Sequence, residues 1–456
     1  MKYVLVLSVL FSFSLFGRSH VNPLPTDSST SLIKRTAALL LIEEGKNKFF
    51  AGKYQNSLRD FIAAGIKDKY NHLVYFWQGK CHFEMDNYGE AYELVLKAEG
   101  MSKEEHLDVV ILKAFCLHRL EKIDEAKKLY EYLATKLPKT RMNDLRIEVM
   151  IASCDYILEQ QKAGKSNKRK VLSQAVNSEF SDYAPILIDG GKKLYFTSRR
   201  ENTTGGMSNP DDGQYFEDNY VVVWNEQTKD WDSLSNDMYR LNSNGFDCIS
   251  WLSPDGLNGL MTVNNTAIDD AEKPTMSSDI FEIVLSNKGK WQTPKMIKNK
   301  SINTSFFDGA ATMTADGNRM YFVSDRKGDK SMTDIYMVER SGRKWGEAVP
   351  VSDSINTPYM ETTPFITPDG RYLFFSSTGH PGMGGYDIFV SENLGNTWSK
   401  PVNLGIEINT VNDDTHFQYY AKLKKALYAG ISLDELRGNI DIFELDMKQI
   451  KLPIEE

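Results

Sequence analysis

One short signature occurs five times in the second half of the chain: an apolar residue, Asn, then Ser or Thr, with an acid five places after the Asn. The copies run from Asn177 to Asp182, Asn242 to Asp247, Asn303 to Asp308, Asn356 to Glu361 and Asn409 to Asp414, at intervals of 53 to 65 residues. Each is followed by a strand-like run and, in the first four units, an Asp-Gly turn (Asp189-Gly190, Asp255-Gly256, Asp316-Gly317, Asp369-Gly370). A second strand such as "MYFVSDR" or "LFFSST" comes next, then a variable loop, then a third strand opened by an acid, as in "SSDIFEIV", "TDIYMV", "YDIFV" and "IDIFEL". Trp291, Trp345 and Trp398 precede a last short strand. Four antiparallel strands per unit at this spacing predict the blades of a β-propeller, and five units predict five blades.

The ends of this region predict how the ring closes. The fifth unit stops after "IDIFELDM" without a fourth strand, whereas "RKVLSQAVNS" (169–178), ahead of the first unit, matches "KPVNLGIEINT" (400–410). The N-terminal segment is therefore expected to supply the outer strand of the last blade, which removes an open sheet edge.

A different period governs residues 35–162. Apolar residues recur there at helical spacing, and the segments align with an interval near 34 residues, the period of tetratricopeptide helix pairs. Gly45, Gly79 and Ala114 hold the small position where the two helices of a pair meet, Tyr54, Tyr88 and Ile123 follow nine places on, and Pro138 ends the third unit. The stretch 145–160 reads as a capping helix. Cys81, Cys116 and Cys154 recur at one position of successive units, too far apart for disulfides, and read as small buried residues. The fold class is thus α+β multidomain: an N-terminal α-helical tetratricopeptide solenoid at 35–162, a linker at 163–168, and an all-β five-bladed propeller at 169–450.

Ahead of both regions, Lys2 and the apolar run Tyr3 to Phe16 are too short for a membrane span and suit the core of a signal peptide (1–19), followed by a polar linker (20–34). Export is the expectation, to the periplasm or the outer membrane. No cysteine accompanies the run, so lipid attachment is not expected. A formal net charge of -8 argues against a nucleic-acid partner, since no excess of Lys and Arg exists to displace phosphate counterions.

The Asp-Gly turns, the "YFVSDR" strands and the "DIY" and "DIF" strands resemble the WD40-like repeats of TolB-type periplasmic proteins. Helical repeats ahead of such a propeller, together with the loop "GHPGMGGYDIF", resemble PorE-type envelope proteins of type IX secretion. The resemblance implies a non-catalytic scaffold that binds protein partners in the cell envelope. Two features of that family, a lipobox cysteine and a C-terminal OmpA-like domain, have no counterpart in the sequence.

Candidate sites follow from the two registers. In the helical region Lys46, Phe49, Phe76, Lys80, Phe83, Phe115 and His118 fall on positions that line the concave groove, and rings with spaced lysines would suit an extended acidic peptide. In the propeller, Asp182, Asp247, Asp308, Glu361 and Asp414 begin the innermost strands on one face. They could form a ring of carboxylates for a cation or a basic peptide, or accept hydrogen bonds from turn N–H groups of the neighbouring blade. Loops 201–217 and 264–278 are the long ones on that face and are candidates for a partner site. A glycan or peptide held in the propeller mouth is the alternative function. No nucleophile elbow, phosphate loop or metal-ligand spacing stands out, so neither catalysis nor a cofactor or metal is expected. In "TGHPGMGGYDIF" (378–389) no helix follows the glycines, as a phosphate cradle would need. They are expected to permit positive backbone dihedrals in a hairpin, with His380 exposed.

Overall fold

The computed structural model describes residues 31–102, 104–209, 212–238, 240–264, 278–327, 332–342, 344–431 and 440–453. The expected signal peptide, most of the 20–34 linker and nearly all of the 264–278 loop lie outside these residues. The chain divides into a helical unit and a β unit near Gly164 and Lys165.

Among the described residues the helical unit has eight helices: α1 (Leu32–Phe50), α2 (Tyr54–Lys67), α3 (His72–Glu84), α4 (Tyr88–Met101), α5 (Leu107–Arg119), α6 (Ile123–Lys136), α7 (Lys139–Asp144) and α8 (Ile147–Lys162). Three antiparallel pairs and a capping helix result, as the 34-residue period predicts. The small residues work as expected. A Cβ on Gly45 would stand 2.6 Å from the Phe61 ring, and one on Gly79 would stand 3.2 Å from the Ala91 carbonyl, so partner helices approach to near backbone contact. The Ser57 hydroxyl donates to the Gly45 carbonyl at 2.8 Å across the first pair. All four cysteines are buried free thiols. The helix α7 was not foreseen; it is set off from α8 by Arg146, whose backbone is left-handed.

The β unit contains five antiparallel sheets, one per signature. Blade one is Asp182–Ile188, Lys193–Ser198, Asp218–Asn225 and Asp230–Ser235; blade two is Phe246–Leu252, Asn258–Asn264, Asp279–Val284 and Lys295–Met296. Blade three begins with Asp308–Met313, Arg319–Ser324 and Asp334–Ser341, blade four with Glu361–Ile366, Tyr372–Ser377 and Asp387–Glu392. Blade five has Asp414–Tyr420, Lys425–Gly430 and Asp441–Asp446, and its fourth strand is Lys170–Val171, paired with Glu444 and Phe443. The closure read from the sequence is the one found. Five apolar clusters each draw on two neighbouring blades, as in Leu187, Leu194 and Phe196 of blade one with Leu427 and Ile442 of blade five.

The signature residues explain the repeat. In every blade junction the Asn side chain occupies the outer edge of the preceding blade's third strand, where the short fourth strand leaves backbone groups open. Asn303 accepts from the Ile280 N–H at 2.8 Å and donates to the Ile280 carbonyl at 2.9 Å, and Asn177, Asn242, Asn356 and Asn409 treat Ile442, Asn219, Ile335 and Ile388 alike. One amide thereby replaces a ladder pair. The Asp-Gly turns are tight, with Gly190, Gly256, Gly317 and Gly370 at φ of 61 to 73°. Each first strand also carries a bulge, and at Ala184, Ala310, Thr363 and His416 the bulge is left-handed. At two of them the freed N–H crosses to the preceding blade, from Ala310 to the Thr262 hydroxyl and from His416 to the Thr363 hydroxyl.

Candidate interaction surfaces

The expected groove residues form mostly core. Phe49, Phe76, Lys80, Phe83, Phe115 and His118 are all buried, and of the seven only Lys46 keeps appreciable side-chain exposure, at 25%. Their partners show why. The Phe49 ring meets Tyr54 and Trp77 edge-on at 5.2 and 5.4 Å, Phe76 meets Trp77 at 5.6 Å, and Phe83 bridges Tyr88 and Phe115. Phe115 packs on Tyr130, whose hydroxyl lies 3.4 Å from Nδ1 of His118. Rings this large, on facing helices of adjacent pairs, fill the space between them. A groove of exposed rings at these positions is therefore not what the residues build.

Lys80 is the notable case. Its Nζ sits 4.7 Å from the centres of both the Phe49 and Trp77 rings. Burial pulls its pKa down to about 8, against the opposing pull of Glu84 and Asp108. Burial likewise pushes Glu84 up to about 8. Lys46 points outward to Glu43 at 2.7 Å and reaches the Trp77 ring at 5.6 Å. Sequence reasoning missed a second pair: the His72 and His106 rings stack at 4.6 Å, and burial together with His106 holds His72 down at about 4.

In the propeller, the five acids do lie at corresponding places, but they are buried and do not form an open ring. Asp182, Asp247, Asp308, Glu361 and Asp414 accept the backbone N–H and hydroxyl of Ser178, Ser243, Thr304, Thr357 and Thr410, the residue after the signature Asn. The donor is the strand's own entry turn, four residues back, and not the neighbouring blade. Burial raises the pKa of Asp182, Glu361 and Asp414, with Glu361 pushed up to about 7. The link to the preceding blade comes from the backbone: the N–H groups of Asp182, Asp308, Glu361 and Asp414 donate to Ile440, Ser278, Thr333 and Tyr386.

A cation completes the arrangement in several blades. In blade three the Arg326 guanidinium donates to Asp308 at 2.7 Å, to the Ser301 and Ile302 carbonyls and to the Ser324 hydroxyl, 4.4 Å from the Tyr336 ring centre. Arg200 repeats this in blade one with Asp182 at 2.7 Å, the Val176 carbonyl, Ser198 and the Tyr220 ring. Blade five takes its cation from the closing segment. Arg169 lies over the Phe443 ring at 4.2 Å, with Nη1 4.0 Å from Asp414. In blade four His380 substitutes: its Nε2–H donates to the Ile355 carbonyl at 2.8 Å, and its ring packs on Phe389. It is half-buried, not exposed, and burial lowers its pKa.

The loop holding His380 corrects a second expectation. Gly379, Gly382 and Gly384 are not at positive φ; they are needed because nothing larger fits. A Cβ would stand 1.9 Å from the Thr357 hydroxyl, 2.0 Å from the Asp387 carboxylate and 2.0 Å from the Val411 carbonyl, respectively. The Asp387 carboxylate accepts the Met383 N–H at 2.8 Å and so holds the loop closed.

Comparison with known proteins bears on the helical unit first. A family model described as "Anaphase-promoting complex, cyclosome, subunit 3" matches residues 52–132. The Yersinia enterocolitica type III secretion chaperone SycD, in complex with a peptide of the translocator YopD, is 20% identical over 28% of this chain and 99% of its own, with a TM-score of 0.25. The first tetratricopeptide domain of Spaghetti (RPAP3), bound to the HSP90 peptide SRMEEVD, is 24% identical over 26% of this chain and 98% of its own, with a TM-score of 0.23. The α-L-arabinofuranosidase PaAbf62A from Podospora anserina, in complex with cellotriose, is 10% identical over 61% of this chain and 96% of its own, with a TM-score of 0.36. No curated protein matches. Likenesses at these scores carry no inference about activity. What stands is the architecture: tetratricopeptide-like helix pairs followed by a five-bladed propeller.

Proposed function

We propose that the chain is an exported, non-catalytic scaffold of the cell envelope that holds protein partners together, as an accessory component of type IX secretion or outer-membrane complex assembly. One observation carries this reading. The residues whose recurrence first suggested chemistry are consumed by the fold: each signature acid caps its own strand entry, and each signature Asn pairs the preceding blade's edge. What is left is two repeat units that present large surfaces, an arrangement suited to binding other proteins. The apolar run after Lys2 and the "YFVSDR" and "GHPGMGGYDIF" resemblance support the envelope assignment.

The test is affinity isolation of the full chain from envelope extract, in parallel with the helical and propeller units each replaced by an unrelated domain. Co-isolation of a defined set of secretion or outer-membrane proteins, lost with one replacement, is the expected result. Recovery of the chain alone would contradict it, as would turnover of a substrate by the purified chain.

A further inference from the structure

The turns between first and second strands divide the propeller into two parts. In blades two to four they hold Asp255, Asp316 and Asp369, and each carboxylate accepts a nearby Ser or Thr hydroxyl and the backbone N–H two places on. A left-handed glycine follows each acid. Blade five has Ala421-Lys422-Leu423-Lys424 there instead, with neither acid nor glycine. Its left-handed residue is Lys424, at φ 51° and ψ 45°, a conformation that costs a residue with a side chain more than it costs glycine. Blade one, its neighbour round the ring, ends the same turn in Lys192.

These lysines lie together. The Leu423 side chain is 3.0 Å from where a Cβ on Gly191 would stand, so the turns of blades one and five touch. The Lys424 carbonyl accepts the Met447 N–H at 3.0 Å, which brings Lys448 alongside. Lys192, Lys422, Lys424 and Lys448 are all exposed, and among the described residues none of them is in an ion pair. Most neighbouring acids have other partners. Glu226, which feels the Lys192 charge, bonds Lys229 at 2.8 Å, and Glu444 bonds Lys425 at 2.7 Å. Asp446 accepts the Lys448 N–H and the Gln449 amide. Asp189 is the one acid within the two turns themselves, so the face they share is basic.

We propose that this face of blades one and five rests on an anionic lipid bilayer, with Lys192, Lys422, Lys424 and Lys448 among its phosphate headgroups. Lysine is a compact, rotatable point charge, which suits a surface of mobile phosphates. The fixed carboxylates of an acidic protein segment are matched better by arginine forks, and none of the four is an arginine. A cluster of this size is what attraction to a charged bilayer requires. The chain's formal net charge of -8 does not oppose it, because salt screens charges more than about 8 Å away. A turn that exchanges a capping aspartate and a glycine for two lysines, one of them left-handed, gives up stability, and the bilayer contact is what the exchange gains. The inference adds a contact to the scaffold reading and does not rest on it.

The test is flotation of the full chain with vesicles of phosphatidylglycerol and phosphatidylcholine, beside vesicles of phosphatidylcholine alone. Binding to the anionic vesicles only, weakening as salt is added, is expected. Each lysine charge removed should weaken it about fivefold, so Lys422→Gln with Lys424→Gly should weaken it about 25-fold. The same double variant should melt no lower than the parent, because glycine relieves the left-handed position; a purely structural role for the two lysines predicts a lower melting temperature. Lys128→Gln with Lys162→Gln removes the same charge from exposed positions of the helical unit and should leave binding unchanged. Inorganic phosphate at matched ionic strength should compete no better than chloride, and specific competition would mark a discrete phosphate site and overturn the inference. So would no binding to anionic vesicles, equal losses in the two double variants, or capture of the chain by poly-glutamate without vesicle binding, which would assign the lysines to an acidic protein segment. Failure here with partners still co-isolated leaves the scaffold reading standing.

Discussion

Replacing Gly384 with alanine should destabilise the propeller, although this glycine needs no special dihedral. The added Cβ would lie 2.0 Å from the Val411 carbonyl oxygen and 2.7 Å from its carbon, against an ordinary contact of roughly 3.4 Å or more. Backbone must therefore move by about 1.4 Å, because neither atom belongs to a side chain that can rotate away. The same junction carries three bonds between blades four and five: Gly385 N–H to the Val411 carbonyl, Tyr386 N–H to Asp413, and Asp414 N–H to the Tyr386 carbonyl. At about 1 kcal/mol each, their loss amounts to about 3 kcal/mol, the upper end of overpacking costs. For a domain this size that lowers the melting temperature by roughly 5–10 °C. Calorimetry on the full chain, with hydrogen exchange assigning the transition, measures it. Gly89→Ala is the contrast: nothing lies within 4 Å of that added Cβ, and in a helix the change should be neutral or stabilising by up to about 1 kcal/mol. If Gly384→Ala melts with the parent, the close-approach reasoning fails.

Three further outcomes follow from the buried charges. Arg326→Met should cost about 3–5 kcal/mol because it strands Asp308, and the double variant with Asp308→Asn should recover part of that loss in a thermal double-mutant cycle. Glu361 has a folded pKa of about 7, above its ordinary value of 4.5. Its contribution is therefore fully present below pH 4.5 and lost as pH rises through 7, so Glu361→Gln should gain on the parent in melting temperature between pH 5 and 8. A gap that does not change with pH would refute this. His72 behaves oppositely: with a folded pKa of about 4 against 6.5, its protonation opposes folding as pH falls below 6.5. His72→Phe, which keeps a ring against His106, should flatten the acid side of the helical unit's stability curve.

How much of this could be read from residues alone depends on what fixes each feature. Blade number, closure and helix pairing depend on period and strand or helix pattern, which survive in any one sequence. A hydrogen-bonding role for the signature acids is legible in the sequence; their donor, the strand's own entry turn, is not. Burial at Phe83 or Phe115 is not legible because the register says which helix face a ring is on, not whether neighbouring rings close over it. Arg169 and His380 take up one repeated place from different sequence positions, so no alignment of units would group them with Arg326. Left-handed bulges at Ala184, Ala310, Thr363 and His416 carry no residue-type signal, since each is set by a bond to a neighbouring strand or by packing and not by glycine.

The scaffold claim is tested most directly by weighing the protein in its native state. The chain, of 51.9 kDa, should be isolated gently from its own cells and its mass measured by light scattering after size exclusion, with the polypeptides identified. A complex of fixed stoichiometry containing at least one other envelope polypeptide is the predicted result. A species containing this chain and nothing else, at every concentration and salt tried, would contradict it.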